Sequence, residues 1–265
     1  MTFRAIPITR AWTGPRGGTL KVVVVDAAYD TLDHPLTQAL LPKVMAMKIA
    51  GYGKEFPYGA LPVDVGDIIG VHLLVCEEWG GKLEPLMGLK SVSGRRCEIH
   101  RIEFPALHLA CPHELPRHHA AVRTAMDDIL KKRERFAYSC SWTMAPIARQ
   151  DRELAKLLKH INMAFFVFYY QDYNIPHIFA GATLRFKVDE WKSFLGFEPM
   201  EFEGSVLPDF PCTSFFGEPV RLMYLSRFTS EALELAKTFR SLWDQRITLD
   251  GDSVRAGSLG PADAA

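Results

Sequence analysis

The spacing of apolar residues at the start of the chain predicts a strand and then a helix. The run Leu20–Val25 is rich in β-branched residues, which is typical of a buried strand. Apolar residues then recur at helical spacing between residues 35 and 49, at Leu36, Leu40, Val44 and Met47. A buried strand packed by an amphipathic helix is therefore expected to open the fold.

The same patterns divide the rest of the chain. They predict strands 68–79 and 83–93 joined at Gly80-Gly81, helix 115–133, strand 136–144, helix 149–170, strand 177–186, helix 188–195, strands 199–207 and 219–227, and helix 230–246. Helices alternate with strands, and this order is interrupted by a hairpin. An α/β fold is predicted, with a central mixed sheet covered by helices on both faces.

One domain, over residues 19–249, accounts for these elements. Residues 1–18 and 250–265 lack periodicity, and we expect flexible segments there. Residues 51–66 contain six glycines and prolines, too many for a simple connector, and predict a functional loop.

Composition narrows the class of function. Lysine plus arginine equals aspartate plus glutamate, at 31 each, so no net field favours nucleic acid. No window has the apolar length of a membrane span, and the start of the chain lacks the apolar core of a signal peptide. The five cysteines show no paired spacing and predict reduced thiols. A cytoplasmic protein is expected.

Short motifs resemble those of GNAT acyltransferases. The segment Trp191–Met200 is similar to the closing signature of that family, in which a Gly-Phe-x-Pro ends a helix and enters a strand. Upstream, Asp64-Val-Gly-Asp67 and Glu98-Ile-His-Arg101 resemble the D-x-x-D and E-x-S-R motifs of acyl-homoserine-lactone synthases and N-acyl-amino-acid synthases. Over about residues 36–200, the chain resembles this branch of the GNAT enzymes.

The resemblance implies roles for particular residues. Glu98 would be the base, with Arg101 as its partner; the alternative is an internal Glu–Arg ion pair that fixes a loop. Asp64 and Asp67 would be the acceptor-side charges; the alternative is capping of the loop. Lys43 and Lys90 would be the counter-ions of these aspartates.

The remaining implied residues surround the acyl donor and acceptor. Tyr52 lies near an aromatic position of the family, and Ser141 and Trp142 lie on the strand that diverges in GNAT enzymes to admit pantetheine. A hydroxyl on that strand, such as that of Ser141, would protonate the leaving thiolate. These roles are implied by the fold resemblance.

The donor is expected to be an acyl-carrier-protein or acyl-CoA thioester, used as a co-substrate with no permanently bound cofactor. GNAT enzymes hold a pyrophosphate on a glycine-rich loop, whereas residues 145–152 contain no glycine. Arg149 or Arg152 could help the helix start to hold a single phosphate. A carrier protein, whose pantetheine arm has one phosphodiester, fits this segment better than CoA.

Three further features leave alternatives open. His72 lies in an apolar run and is expected to be a core histidine rather than a base, and the aromatic run 162–170 is expected to be core rather than an acyl tunnel. A group of potential zinc ligands is expected to be an ordinary loop and helix start: His108, Cys111, His113, His118 and His119.

These observations predict an N-acyltransferase that moves an acyl group, expected to be fatty, to the amine of a small molecule. The alternative is a GNAT-shaped binding or regulatory module without catalysis, because the glycines are missing and lysines replace arginines. A zinc-dependent hydrolase is a third hypothesis.

Overall fold

The computed structural model describes residues 12–56, 63–111 and 113–251. Most of the predicted N- and C-terminal segments and the middle of the 51–66 loop lie outside the described residues. The part of the N-terminal segment that is described, residues 12–18, forms a turn against the sheet. Glu77 Oε1 accepts hydrogen bonds there from the backbone N–H groups of Arg16, at 2.8 Å, and Gly18, at 2.9 Å.

The elements follow the predicted alternation of strands and helices. The strands are β1 Thr19–Asp26, β2 Val71–Trp79, β3 Lys82–Ser93, β4 Phe136–Met144, β5 His177–Thr183, β6 Glu198–Pro199, β7 Glu201–Phe202, β8 Ser205–Val206, β9 Phe210–Cys212, β10 Glu218–Leu225 and β11 Ile247–Leu249. The helices are α1 Pro35–Glu55, α2 Gly66–Ile69, α3 Gly94–His100, α4 Pro105–Leu109, α5 Pro116–Lys131, α6 Arg152–Asp172, α7 Val188–Leu195, α8 Ser230–Thr238 and α9 Arg240–Asp244.

The strands form a mixed sheet in the order β11-β1-β2-β3-β4-β5-β10-β6, with β9 also paired to β10. The β1–β11 and β4–β5 pairs are parallel, and the other pairs of this sheet are antiparallel. Helices α1, α4 and α5 cover one face, and α6, α7 and α8 cover the other. The prediction of an α/β fold with helices on both faces of a mixed sheet is confirmed.

Helix α6 carries the aromatic run, and that run packs as core. Every side chain from His160 to Tyr170 is buried. The rings of Phe165 and Phe168 lie 5.7 Å and 5.9 Å from the ring of Trp243, which anchors the C-terminal region on α6. Hydrophobic burial of α6 between the sheet and α8 is the main apolar support of this face.

The central strands part in the middle of the sheet. β4 pairs with β5 only from Phe136 to Tyr138, opposite His177 to Phe179. Beyond that point β4 continues to Met144, and none of its described residues pairs with β5. The other edge of β4 stays on β3, with an extra residue inserted on β4 between the pairs Gly88–Thr143 and Lys90–Cys140. The result is a wedge-shaped gap between β4 and β5 at the carboxyl end of β4.

Candidate active site

Asp67 lies at the centre of a buried charge network. It is fully buried at the start of α2, its Oδ1 accepts a hydrogen bond from Lys48 Nζ, and its Oδ2 lies 3.2 Å from Lys90 Nζ. Lys90 also donates to Asp64 Oδ1 at 2.6 Å. Asp64, with its side chain 63% exposed, links the network to solvent. Two lysines and two aspartates are thus joined in alternating order beside the gap.

The charges of this network shift the pKa of Asp67. Burial alone would raise the pKa of this carboxyl, but the ammonium groups of Lys90 and Lys48 outweigh burial, and the pKa is lowered. Asp67 is therefore ionised at neutral pH. A buried carboxylate held by two cations is a fixed charge that can orient a polar ligand next to it.

A narrow pocket opens beside the network, is partly continuous with solvent, and has room for about one water molecule. It lies between α1 and the middle strands of the sheet and has both apolar and polar walls. The polar side chains that line it are Lys48, His72, Lys90 and Ser141. A ligand larger than a water molecule would therefore have to widen the pocket.

His72 presents an uncharged imidazole to this pocket. Its Nε2 lies 2.7 Å from the backbone carbonyl oxygen of Asp67, so Nε2 carries the hydrogen and Nδ1 is the basic nitrogen. Burial lowers the pKa of His72, against the opposing effect of the Asp67 charge. The sequence favoured a core histidine; the side chain is buried, and it also lines the pocket.

Ser141 reaches the pocket because of the bulge in β4. Its φ of 56° lies in the left-handed region, which turns its side chain to the same face as that of Cys140. The Ser141 hydroxyl lies close to the Tyr52 phenol, and burial raises the pKa of that phenol to about 12. Ser141 and Tyr52 are thus brought together at the mouth of the gap, on the α1 face.

Lys48, rather than Lys43, is the second cation of the network. Lys43 Nζ lies 2.7 Å from Glu84 Oε1 and 3.0 Å from the carbonyl oxygen of Leu83, at the far end of the hairpin. Lys48 follows Val44 by four residues on the helix face that packs on the sheet. A lysine at an apolar position of the helical pattern was the signal that sequence reasoning missed.

Glu98 and Arg101 do not join the network. Both are exposed near the end of α3, neither lines the pocket, and no ion pair connects them among the described side chains. The neighbouring Arg96 makes the ion pairs of this helix instead, at 2.5 Å from Asp30 Oδ2 and 3.6 Å from Asp26 Oδ1. Of the four motif residues, the structure brings only Asp64 and Asp67 together.

The start of α6 is already occupied by its own cap. The Asp151 side chain accepts hydrogen bonds from the N–H groups of Glu153, at 2.9 Å, and Leu154, at 3.0 Å. Arg149 pairs with Glu55 at 3.0 Å, while Arg152 is exposed. A phosphate at this helix start would have to compete with the Asp151 carboxylate, so the predicted phosphate site is not preformed.

Trp142 lies on the opposite face of β4 from Ser141. Its indole Nε1 donates to Ser139 Oγ at 3.3 Å, and its ring centroid lies 5.7 Å from that of Phe166 on α6. The ammonium of Lys192, on α7, is 5.5 Å from the Trp142 ring. The gap between β4 and β5 therefore has different walls on its two faces: polar beside α1 and aromatic beside α6.

The histidine cluster does not converge. His118 Nε2 lies 2.8 Å from the carbonyl oxygen of Pro208, and His108 lies 3.7 Å from Glu103 on the surface. Among the residues with described positions, no three His, Cys, Asp or Glu side chains are grouped as metal ligands. In the same part of the chain, no helix has the length and hydrophobicity needed to cross a membrane.

Comparisons by sequence find no matching family model and no matching curated protein. Comparison of the fold with solved structures finds a CoA-dependent acyl-homoserine lactone synthase, BjaI, with SAM and isopentyl-CoA. It has 14% sequence identity and a TM-score of 0.50, and the match covers 91% of this chain and 100% of that one.

Two further solved structures match with lower TM-scores. The synthase LasI matches at 0.47, with 11% identity over 88% of this chain and 100% of that one. FeeM, an N-acyl amino acid synthase from uncultured soil microbes, matches at 0.44, with 11% identity over 83% of this chain and 98% of that one. With its parted central strands and helices on both faces, the chain has a fold similar to that of the acyl-homoserine lactone synthase BjaI.

Proposed function

We propose that this protein transfers an acyl group from a pantetheine thioester to the amine of a small molecule. The observation that carries the proposal is the gap between β4 and β5, which lies beside a pocket with a buried network of two lysines and two aspartates. An acyl transferase needs a slot for an extended donor and a polar site for the acceptor next to it.

The gap suits the donor because it exposes strand backbone. Between Ser139 and Met144, alternate N–H and C=O groups of β4 point away from β3 and are not bonded to β5. The amides of a pantetheine arm can bond to such an edge as an added strand would. The arm is common to a carrier protein and CoA; because Asp151 caps α6, we favour the carrier protein, with Arg152 contacting its phosphodiester.

The pocket suits an acceptor that carries both an amine and an anion, such as an amino acid. Lys48 and Lys90 supply N–H donors for a carboxylate, and the exposed Asp64, which is bonded to Lys90 outside the pocket lining, supplies a charge for an ammonium. His72 Nδ1 can take the proton that the amine loses on attack. We therefore assign the base to His72 instead of Glu98, because Glu98 is exposed and does not line the pocket.

The proposal is tested by incubating the purified protein with octanoyl-CoA or an octanoyl carrier protein and each of the common amino acids. We expect stoichiometric release of free thiol and formation of an N-octanoyl amino acid, measured by a thiol reagent and by mass spectrometry. His72→Gln should lower the rate by roughly 10²–10⁴-fold. Glu98→Gln is the matched control and should keep the wild-type rate.

The outcomes separate the two candidate bases and the non-catalytic alternative. Loss of turnover in Glu98→Gln with activity kept in His72→Gln would restore Glu98 as the base. Thermal stabilisation of the protein by the thioesters without thiol release, for every acceptor, would favour a binding module.

A further inference from the structure

Lys192 is a buried cation without a partner. Its side chain on α7 is 2% exposed, and its Nζ has no hydrogen-bond partner among the described residues. An unpaired buried ammonium costs several kcal/mol. Burial accordingly lowers the pKa of this amine to about 7, and the only described group that opposes the shift is Cys140.

The Lys192 side chain reaches from the β5 side of the gap towards β4. α7 packs on β5, whereas the ring of Trp142, 5.5 Å from Lys192 Nζ, belongs to the part of β4 that has left β5. The ring of Phe197 lies 4.6 Å from the same Nζ. Aromatic faces stabilise a cation without supplying a hydrogen-bond acceptor. The three N–H bonds of the ammonium are therefore free for a ligand in the gap.

A second buried polar group, on the neighbouring helix α6, also lacks a hydrogen-bond partner among the described residues. Asn162 on α6 is fully buried, and neither its amide oxygen nor its amide nitrogen is bonded within the described part of the chain. It lies one turn before Phe166, whose ring is 5.7 Å from Trp142 and 5.8 Å from Phe197. Buried polar atoms are almost always bonded, so a polar ligand in the gap could supply partners for Lys192 and Asn162.

We infer that Lys192 is the proton donor to the sulfur of the leaving thiol in the proposed acyl transfer. The inference rests on the proposed function. The amine enters from the pocket on the α1 face, and the sulfur lies on the α6 face, next to Lys192. Ser141, which the fold resemblance implied for this role, lies on the α1 face with Tyr52.

The step is balanced in atoms and charge. The lone pair of the acceptor nitrogen forms a bond to the thioester carbonyl carbon, and the C–S bond breaks with its electron pair on sulfur. Lys192 gives one ammonium proton to that sulfur, which leaves a thiol and a neutral amine. The acceptor reacts as a neutral amine, and the proton that its nitrogen loses goes to His72. When the products depart, His72 gives this proton to water and Lys192 takes one from water, so both residues return to their starting states.

The test uses two acyl donors whose leaving sulfur atoms differ in whether they must be protonated. One is octanoyl-pantetheine, an alkyl thioester. The other is the octanoyl thioester of a nitro-substituted thiophenol, which leaves as a stable thiolate. For Lys192→Met, we expect kcat/KM to fall roughly 10²–10⁴-fold with the alkyl donor. The loss should be less than about tenfold with the aryl donor, because its leaving group requires no proton.

Lys159→Met is the matched control. The Lys159 ammonium also lies over an indole, 4.7 Å from the Trp191 ring, but on a half-exposed part of α6. This variant should behave as the wild type with both donors. An equal loss with both donors in Lys192→Met, or no loss, would overturn the inference and leave Lys192 a structural residue.

Two further measurements distinguish misfolding of the Lys192 variants from failure of the proposed function. Lys192→Met and Lys192→Gln should be at least as stable as the wild type, because each removes an unpaired buried cation. Unfolding of both variants would contradict the unpartnered state of Lys192 and with it the inference. A wild-type protein that uses neither donor with any acceptor would refute the proposed function itself.

Discussion

At the scale of single residues, the molecule depends most on Asp67. Its carboxylate is fully buried and is the link between Lys48 and Lys90. Neither lysine is exposed by more than 2%, so neither can turn to water when the carboxylate is removed. Asp67 therefore supports the fold and also sets the charge of the candidate site.

We expect Asp67→Asn to lower the free energy of unfolding by about 3–5 kcal/mol, because it leaves two buried cations without their shared carboxylate. The matched control is Asp64→Asn: this aspartate also contacts Lys90, but its side chain is 63% exposed, and the expected loss is about 0–1 kcal/mol. Urea unfolding of the two variants is the measurement. Equal losses would show that the Asp67 pairs do not support the fold.

A second residue couples stability to pH. Burial, helped by the nearby charges of Lys156 and Lys159, lowers the pKa of His160 to about 4. The unfolded chain, with a histidine pKa near 6.5, binds more protons than the folded chain between about pH 4 and 6.5. The free energy of unfolding should therefore rise with pH over this window, with a contribution of at most about 1.4 kcal/mol per pH unit.

Guanidinium unfolding of the wild type and of His160→Gln, at several values of pH between 4 and 7, measures this contribution. Carboxylate effects are common to both proteins and cancel in the comparison. The curve of the variant should be flatter. Parallel curves would mean that His160 titrates normally in the folded protein.

At the scale of elements, the hydrophobic pattern predicted most of what the structure contains. Strand 136–144 and helix 188–195 have the predicted bounds, and Gly196 ends α7 with a φ of 112°, as predicted. These segments combine a strong period with a clear stop signal. Packing and local chemistry agree there, so the sequence alone was sufficient.

The elements that were predicted wrongly lack such agreement. The predicted strand 199–207 is a set of two-residue pieces, because Glu203 and Gly204 take positive φ values of 52° and 73° and turn the chain back. The predicted helix 230–246 breaks at Phe239, whose ring is 2% exposed and packs into the core. The short helices α3 and α4 and the strand β11 were missed, because each is shorter than the window that reveals a period.

The bulge in β4 leads to a prediction about the stability of variants at Ser141. A left-handed φ at Ser141 costs about 1–2 kcal/mol for any residue with a Cβ. Ser141→Gly and Ser141→Ala both remove the hydroxyl, but only Ser141→Gly relieves the strain. We expect the Gly variant to be about 1–2 kcal/mol more stable than the Ala variant in thermal unfolding. An Ala variant as stable as the Gly variant would contradict the strained bulge.

At the scale of the whole molecule, the candidate site could be predicted only in part. Asp64, Asp67 and Lys90 were predicted as site residues. The two aspartates belong to one short motif, and Lys90 lies near the end of the second hairpin strand, which follows that motif. Lys48, His72 and Lys192 were missed or assigned to the core, because their role depends on which residues face the gap from separate helices and strands. Such contacts arise from tertiary packing, and no local spacing encodes them.

The central claim is that the gap between β4 and β5 holds the acyl donor. Hydrogen–deuterium exchange with and without octanoyl-pantetheine tests it most directly, because a donor bonded to the strand edge must protect the amides of β4 that face away from β3. The account predicts slower exchange within residues 139–144 when the thioester is bound. Unchanged exchange there, with protection elsewhere or nowhere, would contradict it.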